Sequence, residues 1–155
     1  MNRWLITALA FSLFPTPGDT VRSVNKSELT GEWAVVVWDF RGEWLTAPKN
    51  FVGEHYRDLR VTFTADRMAV KPRPGGRDFW GGFRWDEAYT IDPTKEPKAI
   101  DLPEGGRQGI YELHGDRLVI CIHRSAPRKR PTRFEVKPGA LEGPDTILLL
   151  ERVKK

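Results

Sequence analysis

The feature that most constrains the fold is a series of short runs in which apolar and polar residues alternate. Within residues 58–64, apolar side chains at 59, 61 and 63 alternate with polar side chains at 60, 62 and 64. A period of two is that of a β-strand with one buried face and one solvated face. The 14 Gly and 12 Pro of the 155-residue chain interrupt it too often for helices of normal length. The pattern predicts an all-β protein.

The turn signals divide the chain into about nine strands, within a range of eight to ten. The predicted strands cover 29–40, 58–64, 68–71, 79–91, 99–102, 109–113, 117–123, 132–136 and 147–153. The hairpin connected by His114, Gly115 and Asp116 has the Gly that a tight turn needs. Strands at such short spacing leave no room for crossover helices, so we expect an antiparallel up-and-down meander that forms a barrel. A barrel of ~8 strands is either filled by its own side chains or just able to hold one small ligand.

The amino-terminal segment has the pattern of a signal peptide. Arg3 is followed by an uncharged run, Trp4–Phe14, and then by Pro15, Pro17 and Gly18. The run is too short for a membrane-spanning helix but has the length of a signal-peptide core. We therefore expect a signal peptide at 1–18, a linker at 19–28, a barrel domain at 29–155, and export to the periplasm, envelope or medium, with no transmembrane segment after cleavage. A buried first strand or helix, or an uncleaved anchor, is the alternative.

Charge and cysteine content exclude several classes. The net charge of +4 is too small to predict a dedicated nucleic-acid binder. The single cysteine, Cys121, cannot form an internal disulfide. A basic cluster could attract an anionic partner, although a solvated loop is the simpler interpretation; its members are Arg124, Arg128, Lys129, Arg130 and Arg133.

Two sets of residues resemble a known family. Gly31-Glu32-Trp33 at the start of the first strand is similar to the Gly-x-Trp signature of lipocalins. The runs 91–102, 109–118 with Cys121, 130–134 and the closing Leu-Leu-Leu-Glu-Arg-Val-Lys resemble a family of small exported bacterial domains classed as lipocalin-like. The resemblance covers about Leu29 to Lys154 and implies a lipocalin-like barrel. It also implies that Arg152 packs across Trp33 and closes the barrel, a cation over an indole worth ~1–2 kcal/mol.

No residues have the spacing of a metal or catalytic site. His55, His114 and His123 share no metal-ligand spacing. Cys121 and His123 project from the same strand face and are a conceivable nucleophile and base, but packing of a small apolar side chain is the simpler interpretation. Four acids near aromatic residues, namely Asp39, Glu43, Asp86 and Glu87, could serve glycoside hydrolysis but are interpreted as rim or solvent-face charges. We expect a protein that is not an enzyme and has no metal and no cofactor.

Large aromatic residues mark the predicted ligand site. Several lie in apparent loops, where large apolar side chains are expected either to cover a ligand site or to contact a partner surface. The predicted ligand-binding set is Trp38, Trp44, Phe51, Phe79, Trp80, Phe83 and Trp85. The sequence therefore favours a protein that binds a small hydrophobic or amphipathic molecule. The alternative is a structural or protein-interaction module of the cell envelope with a filled barrel.

Overall fold

The computed structural model describes residues 25–40, 43–44, 58–75, 85–123, 129–135 and 146–154. The predicted signal peptide and most of the predicted linker, together with Phe51, Phe79, Trp80 and Phe83, lie outside these ranges. The helices are α1 (Lys26–Leu29) and a 3-10 turn, η1 (Pro103–Gly105). The strands are β1 (Gly31–Phe40), β2 (Glu43–Trp44), β3 (Leu59–Phe63), β4 (Arg67–Pro72), β5 (Trp85–Ala88), β6 (Thr90–Asp92), β7 (Ala99–Leu102), β8 (Arg107–His114), β9 (Arg117–Ile122) and β10 (Thr146–Arg152).

The strands form one antiparallel meander that curls into a nearly closed barrel. Nine of them follow the order β5-β4-β3-β1-β10-β9-β8-β7-β6, and the two-residue β2 pairs with β1. The first strand joins the last, because β1 pairs with β10 on one edge and with β3 on the other. The predicted all-β class and antiparallel meander are confirmed.

The two ends of this strand order are joined by a single residue. Only Tyr89 separates β5 from β6, so the two strands are halves of one run. The first half pairs with β4 and the second with β7. This completes the ring of strands, except that the β5 edge away from β4 faces η1 instead of a strand. The predicted single strand over 79–91 is thus broken at Tyr89 within its described part, because each half uses a different neighbour.

The inside of the barrel is an apolar core that follows the two-residue period. In β3, Leu59, Val61 and Phe63 are buried, while the residues between them are half-buried. The same alternation buries Leu118, Ile120 and Ile122 from β9 and Leu148 and Leu150 from β10. Burial of these side chains, each worth about 1.5–3 kcal/mol, is the main force that holds the strands in register.

Two sequence predictions are wrong in detail. Leu29 ends α1 instead of beginning β1, because the Asn25 side chain accepts a hydrogen bond from the Ser27 N–H at 3.0 Å and caps a short helix there. Residues 132–135, predicted as the start of a strand, have no strand structure. The strands β7, β8 and β9 beside this segment are already paired on both edges, so no edge is free for it.

Candidate functional site

The end of the barrel that carries α1, called the base, is closed by an arginine stacked on a tryptophan. The Arg152 guanidinium lies 4.1 Å from the centre of the Trp33 ring. It also donates to the backbone carbonyls of Glu28 and Thr30, where the last turn of α1 ends. The Trp33 indole N–H donates to the Leu29 carbonyl at 2.8 Å. The structure therefore brings together the two residues that the resemblance pairs, and it adds α1 as the part that they hold.

Two tyrosines occupy the inside of the barrel near the base. The Tyr89 ring meets Phe63 edge-on at 5.2 Å, and its hydroxyl donates to the Thr64 carbonyl at 2.9 Å. The Lys26 ammonium of α1 lies 4.4 Å from the Tyr89 ring centre. Tyr111 is buried too, and its hydroxyl has no hydrogen-bond partner among the described residues. Burial raises the pKa of Tyr111 to about 12, so its hydroxyl stays protonated at neutral pH.

A polar cluster of Trp85, Glu87 and Arg107 lies inside the barrel, between β5 and the start of β8. Trp85 and Glu87 project inward from β5, and both are buried. Arg107 begins β8; its guanidinium lies 4.4 Å from the Trp85 ring centre, and its Nη2 lies 2.7 Å from Glu87 Oε1. The side chains of Glu87 and Arg107 are only 4% and 18% exposed, so this ion pair is largely removed from water. We call these three residues the inner polar cluster.

The turn η1 holds the inner polar cluster against the free edge of β5. The Gly105 N–H donates to Glu87 Oε2 at 3.1 Å, and the Ala88 N–H donates to Glu104 Oε1 at 3.2 Å. A Cβ on Gly105 would collide with the Arg107 guanidinium, so the guanidinium lies directly against the η1 backbone. Along this edge of the sheet, hydrogen bonds from backbone N–H groups to carboxylate side chains thus take the place of backbone hydrogen bonds between strands.

Burial controls the protonation of Glu87. Desolvation raises the pKa of this carboxyl, and the positive charge of Arg107 opposes the rise only in part. Asp86, the preceding residue, projects to the outer face instead. There its Oδ1 lies 2.7 Å from Arg67 Nε, which lowers the pKa of Asp86. The two neighbouring acids therefore point in opposite directions. The solvent-face interpretation fits Asp86 and is wrong for Glu87.

The inner polar cluster has hydrogen-bonding capacity that the described residues do not use. The Trp85 indole nitrogen and Arg107 Nε are buried donors without a partner in the described part of the chain. More than nine in ten buried polar groups in native proteins have a partner, and leaving one unpaired costs about 1–3 kcal/mol. Two such donors on side chains in contact therefore indicate a place where a further hydrogen-bond acceptor would be stabilised.

The other sequence-predicted residues are not brought together at this cluster. Trp38 is buried in the core, and Trp44 lies in β2, which pairs with β1. His114 is exposed, with its Nε2 2.8 Å from Glu112 Oε1, and His123 is buried. Among the residues that the structure covers, no group of three or more His, Cys, Asp or Glu could hold a metal ion. His55 lies outside these ranges.

The described part of the basic cluster lies against the outer face of the sheet. Arg130 donates to the Gly109 carbonyl at 2.7 Å. Its guanidinium also forms a bidentate ion pair with the two carboxylate oxygens of Asp101, at 2.7 and 2.9 Å. Beneath this segment Cys121 is fully buried, with its Sγ 3.7 Å from the Arg133 carbonyl. The free-loop interpretation is therefore wrong for Arg130, which is used within the chain; Arg124 and Arg128 lie outside the described residues.

Comparison with known proteins assigns no family. The chain matches no protein-family model, no curated protein and no solved structure. The lipocalin-like resemblance therefore stays a prediction. In the described residues, no helix is both long enough and apolar enough to cross a membrane.

The predicted ligand-binding set lacks both charged residues of the inner polar cluster, and the sequence contains a signal for only one of them. Glu87 falls at an inward position of the alternating series 83, 85, 87, 89 and 91, where a charge breaks an aromatic pattern. Arg107 has no comparable signal, because it follows the Gly-rich turn that ends η1 and its inward direction depends on the register of β8 with β7.

Proposed function

We propose that this protein binds a small amphipathic molecule inside the barrel without catalysing a reaction. The polar group of the ligand would face Trp85 and Arg107, and its apolar part would lie against the surrounding core. Ligand sites of this kind are mostly apolar, with a few convergent polar groups that fix orientation. The observation that carries the proposal is a pair of buried donors, on two side chains in contact, that have no partner in the described part of the chain.

Packing near the base supports a small ligand instead of one that fills the whole barrel. Leu29, Trp33, Phe63, Tyr89 and Tyr111 are each at most 1% exposed and occupy the inside at that end. The inner polar cluster instead lies beside the β5 edge, where side chains replace backbone pairing. We place the ligand at that edge.

Export is a separate part of the proposal. It depends on the signal-peptide pattern of residues 1–18 alone, and those residues lie outside the described ranges. An exported binding protein would meet its ligand in the periplasm, in the envelope or outside the cell. Amino-terminal sequencing of the protein recovered from the host's envelope fraction tests this part, since a mature chain that starts near Asp19 is expected.

The direct test of binding is native mass spectrometry on protein purified gently from its host, before and after organic extraction. We expect a stoichiometric mass loss on extraction and a small molecule in the extract. An empty protein whose tryptophan fluorescence does not respond to added amphiphiles would refute the proposal. The same result would favour the alternative of a filled structural or interaction module.

A variant pair connects binding to the cluster. Trp85→Phe removes a donor that has no partner among the described residues, so its main effect should be on the bound state. One neutral hydrogen bond is worth about 0.5–1.5 kcal/mol, which corresponds to about a two- to tenfold loss of affinity. The matched control is Trp33→Phe, which removes an indole N–H bonded to Leu29 at the base. The control should lower stability and leave affinity unchanged.

A further inference from the structure

The charge of the inner polar cluster is already balanced inside the protein. Arg107 is the positive group, and the Glu87 carboxylate lies 2.7 Å from it. The second Glu87 oxygen accepts the Gly105 N–H. Glu87 Oε1 is thus engaged by the Arg107 charge without a hydrogen bond among the described residues, and the pair has no net charge to offer a ligand.

The nearest further charges change this balance little. Glu104 is the other carboxylate that acts on Glu87, and its own Oε1 lies 3.1 Å from Arg67 Nη1 on the outer side. Arg67 also pairs with Asp86, so its positive charge is directed to the outer face. No second cation stands beside Arg107 among the charge pairs of the described residues. A negative ligand would therefore meet Glu87 without a free counter-charge.

Three buried atoms of the cluster have no hydrogen bond among the described residues: two are donors, and the third, Glu87 Oε1, faces the Arg107 charge at 2.7 Å. Trp85 offers its indole N–H and Arg107 offers its Nε–H. A carbonyl oxygen of an ester or amide would accept from such donors and bring no charge. A carboxylate would also accept, but it would place a second negative charge beside a buried one, and like charges facing each other cost several kcal/mol.

We infer that the ligand's polar group is an uncharged hydrogen-bond acceptor, such as an ester or amide carbonyl, and not a carboxylate. This inference rests on the proposed function. The environment of Glu87 supports it, because burial already opposes the single negative charge that the site holds. Glu87 is thus the residue that selects against acids, and Trp85 and Arg107 are the residues that receive the carbonyl.

The test compares two probes of one chain length, methyl dodecanoate and dodecanoate, at neutral pH and below their aggregation concentrations. We expect the full chain to bind the ester about tenfold or more tightly than the acid, measured by tryptophan fluorescence titration. In Glu87→Gln the amide oxygen can still accept the Gly105 N–H, while Arg107 loses its counter-charge. We expect dodecanoate affinity to rise about tenfold or more in this variant and ester affinity to stay within about threefold.

Asp86→Asn is the matched control. It neutralises the neighbouring carboxylate, which projects to the outer face and pairs with Arg67, so the preference for the ester should persist. If Glu87→Gln does not fold, as judged by urea unfolding, the inference is tested by the wild-type protein alone, through its relative affinity for the ester and the acid. Wild-type protein that binds dodecanoate as tightly as the ester would overturn this inference and leave the proposed function standing. If neither probe binds the wild type or the Glu87→Gln variant, the proposed function itself is overturned.

Discussion

Replacing Arg152 with methionine should show how much the closure of the base contributes to stability. Arg152→Met keeps an unbranched apolar stem over Trp33 but removes the charge and every donor. The lost cation–indole contact, at 4.1 Å from a fully buried ring, is worth about 1–2 kcal/mol. The two hydrogen bonds to Glu28 and Thr30 add about 0.5–1.5 kcal/mol each.

Not all of this energy will appear in the measured difference. Thr30 is exposed, so water can replace one of the lost hydrogen bonds. The Arg152 Nε contact with Asp116, at 3.5 Å and half-exposed on the acid side, adds little. We therefore expect the free energy of unfolding to fall by about 2–4 kcal/mol, a large part of the ~5–15 kcal/mol that stabilises a typical domain.

The assay is urea unfolding followed by tryptophan fluorescence and by circular dichroism. The matched control is Arg117→Met, which removes an arginine whose Nε lies 3.3 Å from Glu151, with both side chains about half-exposed or more. Such a surface pair is worth about 0–1 kcal/mol. Equal losses of stability in the two variants would show that Arg152 contributes no more than a surface arginine and would contradict closure of the base by this residue.

Two further predictions concern the inside of the barrel. Gly109→Ala should lose about 1–3 kcal/mol in urea unfolding, because its Cβ would lie 2.8 Å from the Cys121 carbonyl and closer still to an Ile122 methyl; Gln108→Ala, on the exposed side of the same strand, should change stability by no more than about 0.5 kcal/mol. Tyr111 should retain its proton until about pH 12, whereas the unfolded side chain loses it near 10.0. Stability from this group is therefore complete below pH 10.0 and is lost as pH rises toward 12. Tyr111→Phe should flatten this decline, and an equal decline in both proteins would contradict the assignment.

Much of the fold could be predicted because its signals are local. The alternation in 58–64 fixes which face of β3 is buried, and Gly115, with φ +56°, supplies the left-handed residue that the β8–β9 turn requires. The break at Tyr89 could not be predicted in this way. It depends on which strands pair with the two halves of the run, and this is a long-range property of the nearly closed barrel.

The candidate site was predictable only in part, for a similar reason. Trp85 belongs to the predicted aromatic set, but its partners come from separate parts of the chain. Glu87 follows it by two positions on β5, whereas Arg107 arrives from β8 after the η1 turn. Alternation alone predicts which face of the sheet each side chain lies on. It does not say that an arginine from β8 will reach a glutamate on β5.

The most direct test of the central claim is a proton–nitrogen correlation spectrum of the indole groups during titration with methyl dodecanoate. Trp85 and Trp33 are assigned by their Phe variants. We predict that the Trp85 indole proton moves downfield, because its N–H has no partner among the residues that the structure covers and would gain an acceptor. The Trp33 signal should stay, because that N–H is already bonded to the Leu29 carbonyl at 2.8 Å. Saturable binding with an unmoved Trp85 signal would contradict the claim that the inner polar cluster receives the ligand.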